Sequence, residues 1–118
     1  TNYLIRSVEL GSGEAERMQE WFRNREAMIA PMPAWFEFIC GPLPPVQEAT
    51  ARAFLERIVP FAEAEAAEAA RLFNAAGRKR SLRVDAMIAG TAIAAHARLA
   101  TNNRSDFEPF VPHGLALL

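Results

Sequence analysis

Val84-Asp85-Ala86-Met87-Ile88-Ala89-Gly90-Thr91-Ala92-Ile93-Ala94-Ala95-His96 decides the fold, with Leu99-Ala100-Thr101-Asn102-Asn103-Arg104-Ser105-Asp106-Phe107 close behind it. From Ala86 to Ala95 no side chain is charged, so a helix here is apolar on nearly every face and belongs inside a core. Asp85 stands at the front of that helix. A carboxylate anchored to a core element needs a partner, a capping role or a metal. A second acid, Asp106, and an asparagine, Asn103, come just past the short strand predicted at Arg98–Thr101.

Outward from this stretch the chain alternates short apolar strands with helices. Tyr3 to Leu10 has a helical pattern closing at Gly11, and Gly13 to Asn24 a second, with Met18, Trp21 and Phe22 on one face. Ala27–Ala30 is a predicted strand bounded by Pro31 and Pro33. Ala34–Cys40 is a short helix that Gly41 is placed to cap. After the stiff Gly41–Pro45 loop, Gln47–Ile58 has an amphipathic pattern, and Val59-Pro60-Phe61 is extended. The Ala/Glu-rich segment Ala62–Ala76 is strongly helical and closes at Gly77. Ser105–Phe110 is a helical turn and Leu115–Leu118 a last strand. Such alternation predicts an α/β fold, a parallel sheet covered by helices on both faces.

The 118 residues fit one domain, 1–118, large enough for a real core. A 51% hydrophobic and 23% charged composition excludes a disordered chain, and no run approaches the length of a membrane span. Thirteen basic against fourteen acidic residues leave a net charge of −1, so the overall balance does not advertise nucleic-acid binding. The single cysteine, Cys40, excludes an internal disulfide and a cysteine-built zinc site, and it reads as a small buried hydrophobe. With no secretory signal pattern, the expectation is a soluble, cytoplasmic domain.

In a parallel α/β fold, ligands bind beyond the carboxyl ends of the strands, where the following helices begin. Glu37, Asp85 and Asp106 fall in or near such positions. Clustered carboxylates repel unless a cation joins them, and a hard divalent ion takes oxygen ligands from one or two carboxylates plus water. An acidic site of that kind suits phosphodiester hydrolysis, in which a metal activates water and neutralises transition-state charge. The bland readings stand beside it: Asp85 and Asp106 as helix N-caps, Glu37 as part of a solvated face.

Asp85-Ala-Met-Ile-Ala-Gly-Thr-Ala resembles the "DalIAATA" helix of PIN-domain proteins, especially VapC-type toxins of toxin–antitoxin pairs. Thr101-Asn-Asn103-Arg-Ser-Asp106-Phe107 is similar to their "T-x-N-x-x-DF" segment, and Glu37 in Trp35-Phe-Glu37-Phe-Ile-Cys-Gly41 to their "E-L/F-x-x-G" helix. Thr1-Asn2-Tyr3-Leu4-Ile5 resembles the residues after the first aspartate in "D-T-N/S-x-L/I". The resemblance runs the whole chain. It implies a three-layer α/β/α PIN-like fold and a Mg²⁺- or Mn²⁺-dependent endoribonuclease toxin, acting on RNA, held in check by a cognate antitoxin protein and commonly paired as a homodimer. Carried over by position, Glu37, Asp85 and Asp106 are the catalytic, metal-holding acids, and Asn2, Thr101 and Asn103 orient them. The family's first strand and its terminal aspartate would sit immediately before Thr1. A protein that truly began at Thr1 is therefore expected to bind metal poorly.

Arg78, Lys79, Arg80 and Arg83, just upstream of Asp85, are placed to meet an RNA backbone, or to form an ordinary solvated or antitoxin-facing surface. His96 reads as a helix-end residue and His113 as loop, and no Ser/His/Asp or Cys/His pattern supports covalent catalysis. Trp21, Phe22, Trp35 and Phe36 read as core. The main alternative function is a PIN-like domain that binds RNA or protein without cutting. A receiver domain with an acidic Mg²⁺ pocket is disfavoured, because the one lysine, Lys79, sits in a loop before the key helix.

Overall fold

The computed structural model describes every residue except Thr1, Val8 and Leu10, and the side chains of Asn2 and Ile5 also lie outside the described set. The chain forms two compact units, residues 1–59 and 60–118. The fold is α/β with parallel strand pairing.

In the first unit the elements are α1 (Asn2–Ser7), α2 (Gly13–Arg23), β1 (Ile29–Pro31), α3 (Met32–Cys40), α4 (Pro45–Phe54) and β2 (Arg57–Val59). Ser12 starts α2, its hydroxyl accepting the Ala15 N–H at 3.0 Å while donating to the Arg6 carbonyl at 2.6 Å. At the other end of α2, Arg25 takes a left-handed backbone, φ 58°, and the Arg25 and Glu26 N–H groups close back on Phe22 and Trp21. β1 and β2 pair in parallel with Ile29 opposite Arg57, Ala30 opposite Ile58 and Pro31 opposite Val59.

Trp35 and Phe38 of α3 pack at 5.2 Å between ring centroids with Leu4, Ala30 and Ala51, and Leu43, Leu55 and Ile58 close the rim. Trp35 is 3% exposed, and the Arg52 guanidinium lies 5.0 Å from its ring centre. Each such large side chain contributes roughly 2–3 kcal/mol by leaving water. Tyr3 stacks on Trp21, with its hydroxyl buried and no hydrogen-bond partner of good geometry. Burial pushes the Tyr3 phenol above its ordinary pKa, an effect the nearby Arg17 guanidinium softens.

Several expectations need correction here. The first helix ends at Ser7; of the rest of the predicted Tyr3–Leu10 stretch, Val8 and Leu10 lie outside the described residues. The strand sits at Ile29–Pro31 rather than Ala27–Ala30, Pro31 ending the ladder where it needs no further N–H. Helix α4 stops at Phe54, not Ile58. Leu55 turns extended, and β-branched Ile58 and Val59 join the sheet instead. Gly41 does not supply a left-handed cap; its backbone is extended, φ −79° and ψ 173°. Cys40 is exposed, not buried, at the outer end of α3. Of the four aromatics read as core, Trp35 is buried, Trp21 partly buried, and Phe22 and Phe36 are 55% and 60% exposed.

In the second unit, α5 (Glu63–Ala75) is followed by a single 3₁₀ turn at Arg80–Leu82, α6 (Arg83–Ala94), α7 (Arg104–Phe107) and a 3₁₀ segment at Glu108–His113. The Glu65 carboxylate accepts the Ala62 N–H at 3.0 Å and starts α5. α5 and α6 meet midpoint to midpoint, and they pack tightly. A Cβ built on Gly90 would lie 2.5 Å from the Ala69 backbone nitrogen and 2.7 Å from its Cα. Ala86, Ile88, Ala89, Gly90, Thr91 and Ala92 are all buried, as the uncharged run required. Thr91 disposes of its buried hydroxyl by donating to the Met87 carbonyl at 2.8 Å. His96 ends α6 as predicted, in the left-handed region at φ 55°, with the His96 and Ala97 N–H groups donating to Ile93 and Ala92.

The predicted strands Arg98–Thr101 and Leu115–Leu118 reduce to one parallel bridge between Leu99 and Leu117. The Leu99 N–H donates to Ala116 and the Leu118 N–H to Leu99, both at 2.9 Å. The polar Thr101–Arg104 turn on one side and the 3₁₀ segment on the other leave too few extended residues for a ladder. No helix of the described residues is long and apolar enough to cross a membrane.

Candidate active site

Asp85 and Asp106 lie in the second unit, in equivalent settings. Leu82 caps α6, so Asp85 is the third helical residue; Asn103 caps α7, so Asp106 is the third residue there. The N-cap reading of both acids is therefore corrected. Each acid thus stands in the first turn of its helix.

Their frames differ. Asp85 is partly buried on a helix whose next residues, apart from Met87, are buried as far as Ala92. Asp106 is exposed, and its position is set by Phe107 beneath it, which is buried and packs 6.4 Å from Phe110. α7 packs against α6, so one unit holds both acids on touching helices.

Thr101 and Asn103 act on this arrangement through the backbone. The Asn103 N–H donates to the Thr101 hydroxyl at 3.0 Å, and the Asp106 N–H donates to the Asn103 carbonyl at 3.1 Å. The pair thus builds the turn from which Asp106 projects. Arg104 pins the same turn from the other side, donating to the Leu118 carbonyl at 2.8 Å. That last tie was not foreseeable, because it joins residues 14 apart through a bridge of one residue pair.

Glu37 belongs to the first unit. It sits in α3, the helix that begins as soon as β1 ends, and its side chain is exposed between exposed Phe36 and buried Phe38. The Asn2 side chain lies outside the described residues. Arg78, Lys79, Arg80 and Arg83 are all exposed and frame the approach to α6 along the chain.

Among the described residues, no three His, Cys, Asp or Glu side chains within either unit form a ready-made metal cage. The donor chemistry nonetheless fits a hard cation. Mg²⁺ and Mn²⁺ take oxygen ligands, and Mg²⁺ characteristically keeps several waters and uses one or two carboxylates. One half-buried and one exposed carboxylate on adjoining helices are of that chemistry.

None of the curated proteins matches the chain. The family model described as PIN domain matches residues 1–108, a span that includes Glu37, Asp85, Thr101, Asn103 and Asp106. On that match, the chain belongs to the PIN-domain family.

Proposed function

We propose that this protein is a metal-dependent endoribonuclease of the VapC type, a toxin restrained by a cognate antitoxin and paired as a homodimer. PIN domains are in general nucleases, hydrolases that act on RNA and other nucleic acids, and they typically use divalent metal ions. The finer reading is supported chiefly by one observation, the placement of Asp85 in the first turn of a helix buried along its following turns.

Asp85 and Asp106 would hold Mg²⁺ or Mn²⁺, and Glu37, in the other unit, would keep the catalytic role that the family motif implies. When bound, the ion supplies an activated water and neutralises charge on the phosphorane-like transition state. The chain's own residues do the rest. Buried α6 fixes Asp85, so little reorganisation accompanies the build-up of charge. The Thr101–Asn103 turn fixes the direction from which Asp106 projects. Exposure of Asp106 leaves room for a phosphodiester and for water.

The test is cleavage of a labelled single-stranded RNA and a tRNA pool by the full-length protein, with Mn²⁺ or with EDTA, beside Asp85→Asn. Cutting that needs metal and vanishes in Asp85→Asn is the expected result. Cutting unaffected by Asp85→Asn contradicts the site. No cutting of either pool by a protein that still binds RNA favours the non-catalytic binding domain.

A further inference from the structure

We infer that Arg78, Lys79, Arg80 and Arg83 form a phosphate-gripping rail that holds single-stranded RNA in front of Asp85, an inference that rests on the nuclease reading. A carboxylate site repels a polyanion, and a protein of net charge −1 has no global field to overcome that repulsion. The attraction must be local. Four cations within the six residues 78–83, all exposed, precede Asp85 with no acid among them.

The rail is built on an ordered backbone. Helix α5 ends with Gly77 at φ 96°, and the Gly77 and Arg78 N–H groups return to Asn74 and Phe73. Arg78 itself is held left-handed at φ 62°, a conformation costing an ordinary residue about 1–2 kcal/mol, and its Nε donates to the Asn74 side-chain oxygen at 3.0 Å. Arg80 opens the 3₁₀ turn that the Leu82 N–H closes onto the Lys79 carbonyl, and Arg83 is the first residue of α6.

Two other arginines of the unit are engaged elsewhere, and the glutamates of α5 lie away from the rail. Arg71 is committed to Glu68, at 2.7 Å, and to the His113 carbonyl, and Arg104 to the Leu118 carbonyl. Glu63, Glu65 and Glu68 crowd the first half of α5. Even Glu68 lies about 10 Å of helix before its end, beyond the screening length of roughly 8 Å at physiological salt.

The experiment is fluorescence anisotropy of a labelled, mixed-sequence single-stranded RNA with the full protein in EDTA, as a function of salt. It compares wild type, Lys79→Ala/Arg80→Ala/Arg83→Ala, Asp85→Asn, and Arg57→Ala as a surface control. The triple variant should bind at least about tenfold more weakly, with a log K against log salt slope shallower by about 2, since each neutralised phosphate adds roughly 0.7. Asp85→Asn should bind as tightly as wild type or tighter, and Arg57→Ala should be unchanged. Thermal melts establish that each variant is folded, and if the triple variant is not, the single reversal Arg80→Glu replaces it.

Unchanged binding by the folded variant, or weaker binding with an unchanged slope, overturns the rail, as does a wild type that binds no RNA. The first outcome would leave these four cations to an acidic protein surface instead. Rail-dependent binding without metal-dependent cutting would uphold the rail and refute the nuclease reading, so the two fail separately.

Discussion

Helices α6 and α3 each present a candidate acid, and they hold it in opposite ways. α6 buries Ala86, Ile88, Ala89, Gly90, Thr91 and Ala92, and it lies so close to α5 that Gly90 has no room for a methyl group. α3 buries Ala34, Trp35 and Phe38 on one side and leaves Met32, Phe36, Glu37, Ile39 and Cys40 exposed on the other. Asp85 is thus carried, half-buried, on a helix held by close backbone packing further along at Gly90. Glu37 lies on a helix held by one aromatic face, on the side exposed to solvent. A metal-holding acid has to be placed to within a fraction of an ångström, whereas an acid acting through water tolerates more freedom. Under the proposed function, the contrast predicts a larger effect on metal binding at Asp85 than at Glu37.

The sharpest way to break this comparison is Gly90→Val. The added atoms meet the Ala69 backbone rather than a flexible side chain, so a loss of about 3 kcal/mol or more is expected in denaturant unfolding. A loss under about 1 kcal/mol would show that the α5–α6 packing yields, and α6 would no longer count as the rigid element. Next in size is Asp85→Asn, which should reduce metal-dependent RNA cleavage by at least about 100-fold while leaving the unfolding midpoint nearly unchanged. Glu37→Gln should cost nearer tenfold, the scale of a group acting through an intermediary. Equal losses at the two positions would erase the distinction between the helices.

Smaller effects test the first unit. Tyr3→Phe removes a buried hydroxyl with no good partner, so stability should rise by up to about 1 kcal/mol. The sign with pH comes from the raised pKa: the unfolded chain loses the phenol proton first, near pH 10, so wild-type stability falls above that pH. The Phe variant should lack that alkaline component, which urea melts at pH 8 and pH 10.5 would resolve. Smallest of all, Phe36→Gln on the exposed face of α3 should change stability by no more than about 0.5 kcal/mol.

What could be read in the sequence tracks the same contrast. The uncharged run from Ala86 to Ala95 admits one physical answer, a buried helix, and the helix is there with His96 at its end. Gly77 likewise closes α5 where expected. The strands were misjudged because β1 and β2 have three residues each, too short for any alternation to show. Helix α4 was overextended because Ile58 fits an amphipathic pattern as well as it fits a strand, and only its pairing opposite Ala30 decides between them. Phe36 and Cys40 were misplaced for a related reason: composition says that a helix has an apolar face, not how many of its apolar residues find a partner. At the candidate site, the residues that cap the helices carrying Asp85 and Asp106 are not legible in the sequence. Leu82 at the start of α6 offers no side-chain hydrogen bond to read.

Calorimetric titration of Mn²⁺ into the full-length protein, beside Asp85→Asn and Glu37→Gln, tests most directly whether Asp85 anchors the site. The account predicts that wild type binds, that Asp85→Asn loses binding by about 100-fold or more, and that Glu37→Gln retains it within about tenfold. Binding as tight in a folded Asp85→Asn as in wild type would contradict it.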